Sequence, residues 1–234
     1  MSDALNNTGR PNFYSLCNWG QDLTSYWGSD VANPWRMSGD ITTEFSRPDS
    51  RCPCIGGWND LDDLEVGVGN LIDDEEKTHF SMWAMVKSPL IIGADVNHLK
   101  APSYSIYSQA SVIAINQDPK GFLQQEYGDI MFLRQIKDIF YDRYQGSEEL
   151  STSWDIYDLC ANRIDNATAS AILGNNKVTN NTLYNATKLS YKEGLSNNDS
   201  RLFGTKIGTI SPGGMINTTV PAHGIALYRL RSSS

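Results

Sequence analysis

Short apolar runs alternate with amphipathic stretches along the first half of this chain. FYSLCNW, residues 13–19, follows Gly9-Arg10-Pro11 and reads as a buried strand. PWRMSGDI is a second strand candidate, GGWNDLDDL opens a third at Gly57, and PLIIGADV is a fourth. The fourth is almost wholly apolar, as expected of a parallel strand buried on both faces. Before it lies DDEEKTHFSMWAMVKSP, in which Phe80, Trp83, Ala84 and Val86 have helical spacing. Asp73 with Glu76 three residues on has capping-box logic, and Pro89 stops the helix. SIYSQASVIAINQD reads as a further helix. The pattern predicts strands near 13–19, 35–40, 57–60 and 90–93, with helices near 75–87 and 104–114. Such alternation implies a parallel α/β architecture.

Beyond Asp118 the character changes. Residues 120–149 are charged and aromatic, and Ile130, Leu133, Ile136 and Phe140 are spaced for a helix. Residues 150–231 are rich in Asn, Thr, Ser and Gly, with short runs such as IALYRL, which predicts a small antiparallel β domain. The expected organisation is therefore 1–118 parallel α/β, 119–149 a connecting segment, and 150–234 a C-terminal β domain. No internal repeat is visible.

Composition narrows the function classes. The 234 residues carry a net charge of −8 without a basic run, so nucleic acid and anionic membrane are not expected partners. No apolar run reaches a membrane span, and residues 1–15 lack the pattern of a signal peptide. Yet N-x-[ST] sequons occur at Asn6, Asn166, Asn180, Asn185, Asn198 and Asn217, and their crowding after Asn166 favours a surface exposed to the secretory pathway. The cysteines are Cys17, Cys52, Cys54 and Cys160. Cys52 and Cys54 are too close to pair readily with each other. A metal reading of C-P-C finds no second ligand pair at zinc spacing.

The candidate chemistry gathers at strand ends. If residues 35–40 are extended, Arg36, Ser38 and Asp40 share one face. A carboxylate beside a guanidinium, with an aromatic nearby, suits a sugar. Glycosidic hydrolysis usually takes two carboxylates, however. Asp60 and Asp62 form D-x-D but lack the remaining ligands of a calcium loop, and they read as acids that order the site. Val66–Asn70 contains only a lone G-x-G, weak as a nucleotide signal. His79, His98 and His223 are scattered and read as surface or structural histidines.

Five blocks in order carry a family likeness: FYSLCNWG, WRMSGDI, GGWNDLDDLEVGVGN, EEKTHFSMWAMVKSPLIIGADV and INQD. Together they resemble the melibiases, secreted retaining α-galactosidases of glycoside hydrolase family 27 type, and most of all the yeast members. TVPAHGIALYRLR is similar to the C-terminal β domain of those enzymes. The resemblance implies the C-terminal half of a (β/α)₈ TIM barrel, strands 5 to 8, followed by a small antiparallel β-sandwich-like domain. It implies that Asp40 is the general acid/base and that Arg36 and Trp19 bind substrate. The bulky Cys17-Asn18-Trp19 edge favours galactose over N-acetylgalactosamine.

Substrates would be α-galactoside oligosaccharides of the melibiose and raffinose type, with no metal or organic cofactor. Family members are secreted and often oligomeric. The resemblance also marks departures. The family's nucleophile lies in a Lys-Tyr-Asp-Asn-Cys segment that this sequence does not contain. That segment precedes the part seen here, so Met1 is expected to match an internal methionine of the family. Only Pro53, Cys54 and Ile55 separate Arg51-Cys52 from Gly56-Gly57, where family members carry a longer cysteine-containing segment. Parallel neighbours need a crossover of about a dozen residues or more, so a segment is expected to be missing there. The competing expectation is a non-catalytic remnant or a weak sugar-binding protein.

Overall fold

Parallel pairing organises the first half of the chain. The structure is a computed structural model, and it describes residues 1–42, 58–117, 130–133, 153–174, 204–211 and 216–232. After a short helix α1 (Ser2–Asn6), Leu16 pairs in parallel with Trp35. The Leu16 amide donates to the Pro34 carbonyl at 3.0 Å, and the Arg36 amide to the Leu16 carbonyl at 2.8 Å. Strand β1 (Pro34–Arg36) then pairs in parallel with β2 (Trp58–Asp60), with Arg36 opposite Asp60. Leu64 bridges Ile92, again in parallel. Among the described residues no antiparallel pair joins these segments, and they do not close into a barrel.

Helix α2 (Asp73–Met85) is the crossover between the Leu64 and Ile92 segments. Its first turn holds Asp73, Asp74, Glu75 and Glu76, which complement the positive end of the helix dipole. The capping glutamate is Glu75, which accepts the Ile72 amide at 3.0 Å, so the expected Asp73–Glu76 pair is displaced by one residue. The reason is that both expected partners are engaged elsewhere. Asp73 binds Arg163 and Lys77. Glu76 turns inward to accept the Gly67 amide and the Ser103 hydroxyl, each at 2.9 Å.

Several expected elements differ from the observed ones. The buried strand expected over 13–19 reduces to the single Leu16 bridge, and Phe13 is 65% exposed. The helix expected over 104–114 is two helices, α3 (Ala101–Tyr107) and α4 (Ala110–Asn116). Between them Ser108 donates its hydroxyl back to the Ser105 carbonyl, while the Gln109 side chain donates to the Leu159 carbonyl at 2.9 Å. Long-range docking of Gln109 thus breaks a helix that local spacing would continue. The apolar strand at 90–93 reduces to one bridge, and Ile91 and Ile92 are 44% and 43% exposed rather than buried on both faces. The helix expected from Ile130 is, over Ile130–Leu133, strand β3. Four consecutive apolar residues fit either period, and pairing with a neighbour decides.

Strand β3 belongs to an antiparallel sheet with β4 (Trp154–Asp158), β5 (Thr205–Ile210) and β6 (Ala226–Ser232), in the order β3-β6-β4-β5. Helix α5 (Asn166–Gly174) follows β4 and was not legible in that Asn- and Thr-rich stretch. One hydrophobic core joins the two parts: Leu64, Val66, Phe80, Ile106, Val112 and Ile115 pack with Leu159 and Leu227. Arg163 adds a polar tie, donating to both Asp73 carboxylate oxygens at 2.8 and 2.5 Å. Cys52, Cys54 and the expected crossover lie outside the described residues, as do most of residues 119–149 and the sequons at Asn180, Asn185 and Asn198.

Candidate active site

The carboxyl end of β1 brings together Arg36 and Asp40, two of the three residues singled out by the sequence. In parallel α/β sheets this is the end where ligands bind. Arg36 is the last residue of β1, and its side chain is buried. The Met37 amide donates to the Asp60 carbonyl at 3.0 Å, and then the strand ends in a bend at Ser38–Gly39. Asp40 is therefore not on the strand, contrary to the expected 35–40 extension. The bend, not a pleat, returns its carboxylate to Arg36. Arg36 Nη2 meets Asp40 Oδ1 at 3.2 Å. The Asp40 side chain is 70% exposed and so is presented to solvent.

Asp62 completes the cluster. Its Oδ2 lies 2.6 Å from Arg36 Nη2 and accepts the Ile41 amide at 2.8 Å. Asp62 has φ of 87°, a left-handed conformation rare for a residue with a side chain. Two bonds hold it there: its amide donates to Asp60 Oδ1 at 2.9 Å, and its carbonyl accepts Trp83 Nε1 at 2.7 Å. Asp60 is buried, and burial pushes its carboxyl up, against the lowering effects of the Asp62 amide and Arg36. Burial also raises the Glu65 carboxyl, helped by the charges of Asp62 and Asp63. Behind them His79 accepts the Glu65 amide at 3.1 Å and stacks on Trp83. Among the described residues, buried Arg36 Nε has no hydrogen-bond partner.

Trp19 lies in the turn after the Leu16 bridge and is 50% exposed. Trp19 and Gly20 both have positive φ, 58° and 72°. A side chain at Gly20 would collide with the Met37 carbonyl, so glycine lets this turn press against the end of β1. Sequence reasoning saw Asp62 only as an acid that orders the site. Its grip on Arg36 and on the Ile41 amide rests on a left-handed turn that D-x-D spacing does not reveal. Among the described residues, no group of three or more His, Cys, Asp or Glu is placed to hold a metal ion.

Comparison with known proteins gives this arrangement a context. A family model described as Alpha galactosidase A matches residues 1–118. An alpha-galactosidase of Saccharomyces paradoxus is 67% identical over 302 residues, covering 100% of this chain and 64% of the relative. One from Saccharomyces mikatae is 62% identical with the same coverage. The chain thus spans less than two thirds of the length of these relatives. The first match runs over 302 positions against 234 residues here, a difference of 68, so the relative carries segments that face no residue of this chain. Among solved structures, alpha-galactosidase from Saccharomyces cerevisiae with raffinose superposes with a TM-score of 0.83 at 56% identity, covering 100% of this chain and 67% of that one. Alpha-galactosidase I from Mortierella vinacea gives a TM-score of 0.65 at 28% identity, covering 100% of this chain and 62% of its own.

Proposed function

The chain belongs to the alpha-galactosidase A family, and we propose that its first 118 residues carry the acid/base half of a site that cleaves terminal α-linked galactose with retention. The observation that supports this best is the buried Arg36 fork shared between Asp40 and Asp62 at the carboxyl ends of two parallel strands. Asp40 is the general acid/base. As an acid it protonates the departing glycosidic oxygen, and as a carboxylate it then takes a proton from the attacking water. Its exposure suits it, because the leaving group and the water both arrive from solvent. Arg36 supplies planar donors for vicinal sugar hydroxyls. Half-exposed Trp19 forms a wall of the galactose pocket.

The retaining route needs a second carboxylate about 5 Å from the first to form the glycosyl-enzyme. No segment of these 234 residues matches the family's nucleophile segment. The isolated 234-residue polypeptide therefore binds galactose without turning over. Asp60 and Asp62 do not substitute: Asp60 is buried and Asp62 is occupied by Arg36 and the Ile41 amide. The parallel segments supply half of a TIM barrel, and the antiparallel sheet is the β domain that follows it. Melibiose- and raffinose-like sugars are the substrate class, and neither a metal nor an organic cofactor is required. Secretion is in keeping with exposed sequon residues Asn6, Asn166 and Asn217.

The test is a fluorescence titration of the purified chain, with Trp19 as reporter. Galactose is expected to shift the emission, N-acetylgalactosamine to bind more weakly, and Arg36→Ala to abolish the response. No response to galactose at any concentration would sink the reading.

A further inference from the structure

We propose that Asp62 is the positioning residue of this site: it draws the Arg36 guanidinium away from Asp40 and fixes the backbone that follows Asp40. The inference rests on the functional reading above and deepens it. One guanidinium nitrogen, Nη2, faces both carboxylates, at 2.6 Å from Asp62 and 3.2 Å from Asp40. The Asp62 side chain is 15% exposed and that of Asp40 70% exposed. Attraction is screened less where water is excluded, so the Asp62 pair is the stronger one on both counts. The same Asp62 oxygen accepts the Ile41 amide, so it pins the residue next to Asp40 in the chain.

Asp62 is itself held firmly. A non-glycine residue at φ of 87° costs conformational energy and persists only where its surroundings determine it. Here the Asp60 carboxylate and the Trp83 indole grip its amide and carbonyl. The chain of control therefore runs from α2 through Trp83 to Asp62, then to Arg36 and the Asp40–Ile41 peptide. Among the described residues, Asp40 is held at one long contact and by its own backbone. It can turn a carboxyl oxygen to a ligand without first breaking a tight ion pair. Without Asp62, Arg36 loses its nearer anion and closes on Asp40, which takes both groups from the sugar.

The experiment measures hydrogen exchange at the Ile41 amide and galactose affinity in the 234-residue chain and in Asp62→Ala and Asp62→Asn. Asp62→Ala is expected to speed Ile41 exchange and to weaken galactose by about tenfold to a hundredfold, the loss of one hydrogen bond to a charged group. Asp62→Asn keeps an oxygen for the Ile41 amide but not the charge that anchors Arg36. It is expected to restore Ile41 protection without restoring affinity. A merely structural residue would lose or keep both together. Unchanged Ile41 exchange in Asp62→Ala, or full affinity in Asp62→Asn, overturns the proposal. If Asp62→Ala does not fold, Asp62→Asn carries the test alone. If the unmodified chain does not bind galactose, the functional reading fails, and Ile41 exchange decides the role of Asp62 by itself.

Discussion

Acidification should weaken this fold through one residue, His79. Its ring stacks on Trp83 with centroids 3.8 Å apart, and its Nε2 accepts the Glu65 amide at 3.1 Å. Accepting that bond requires the neutral imidazole. Burial pushes the His79 imidazole down from 6.5 to about 4. Between those values the unfolded chain binds a proton at His79 that the folded chain refuses. The contribution is intact above pH 6.5 and is lost as pH falls toward about 4. Each pH unit in that window removes up to about 1.4 kcal/mol, so the whole window removes about 2–3 kcal/mol. Against a typical total of about 5–15 kcal/mol this is a large share.

Partly buried Glu65 and buried Asp60 have raised carboxyls and act in the opposite sense, gaining as pH falls. The comparison is therefore made against His79→Gln, which leaves both acids in place and keeps an oxygen for the Glu65 amide. Urea unfolding is followed from neutral pH to near pH 4.5. The unmodified chain is expected to lose about 2 kcal/mol more than the variant over that range. Parallel stability curves for the two proteins would refute the assignment of a neutral, buried, accepting imidazole.

Three other outcomes follow from the geometry. Arg163 holds the Asp73 carboxyl down to about 2, so that pair supports stability above the ordinary carboxylate value and loses it as pH falls toward 2. Because Asp73 is half-exposed, Arg163→Met should cost no more than about 1 kcal/mol at neutral pH, read by thermal unfolding; a larger loss would point to packing. Gly20→Ala should both destabilise the chain and abolish galactose-dependent fluorescence, since a side chain there meets the Met37 carbonyl and φ is 72°. Full binding in that variant would show that the Trp19 turn is not held as described. Exposed Phe13, Tyr26, Ile91 and Ile92 flank the outer parallel segments, and open edges with apolar residues drive association. Light scattering should therefore show oligomers, and a monodisperse monomer at high concentration would contradict this.

The parallel first half was legible because apolar runs and one amphipathic helix recur with clear punctuation. Pairing of Leu16 with Trp35, β1 with β2, and Leu64 with Ile92 follows that order. What escaped was set by distant contacts. The break between α3 and α4 depends on Gln109 reaching Leu159, fifty residues away in sequence. Strand β3 depends on β6, at the other end of the chain. In the site, Arg36 and Asp40 were picked out correctly as neighbours, although the bend at Ser38–Gly39 rather than a pleat joins them. Asp62 was underrated because its role follows from a left-handed backbone that residue type does not announce. The sequence placed His79 among surface or structural histidines, and the structure buries it.

The measurement closest to the centre of this account is hydrolysis of an aryl α-galactoside by the purified 234-residue chain beside its Asp40→Asn variant. With Asp40 as the proposed acid/base group and no segment matching the family's nucleophile, both proteins should release the aryl group at the same background rate, while the unmodified chain still binds galactose. Turnover by the unmodified chain that Asp40→Asn abolishes would show that a complete catalytic pair lies within these residues, and the account would be wrong.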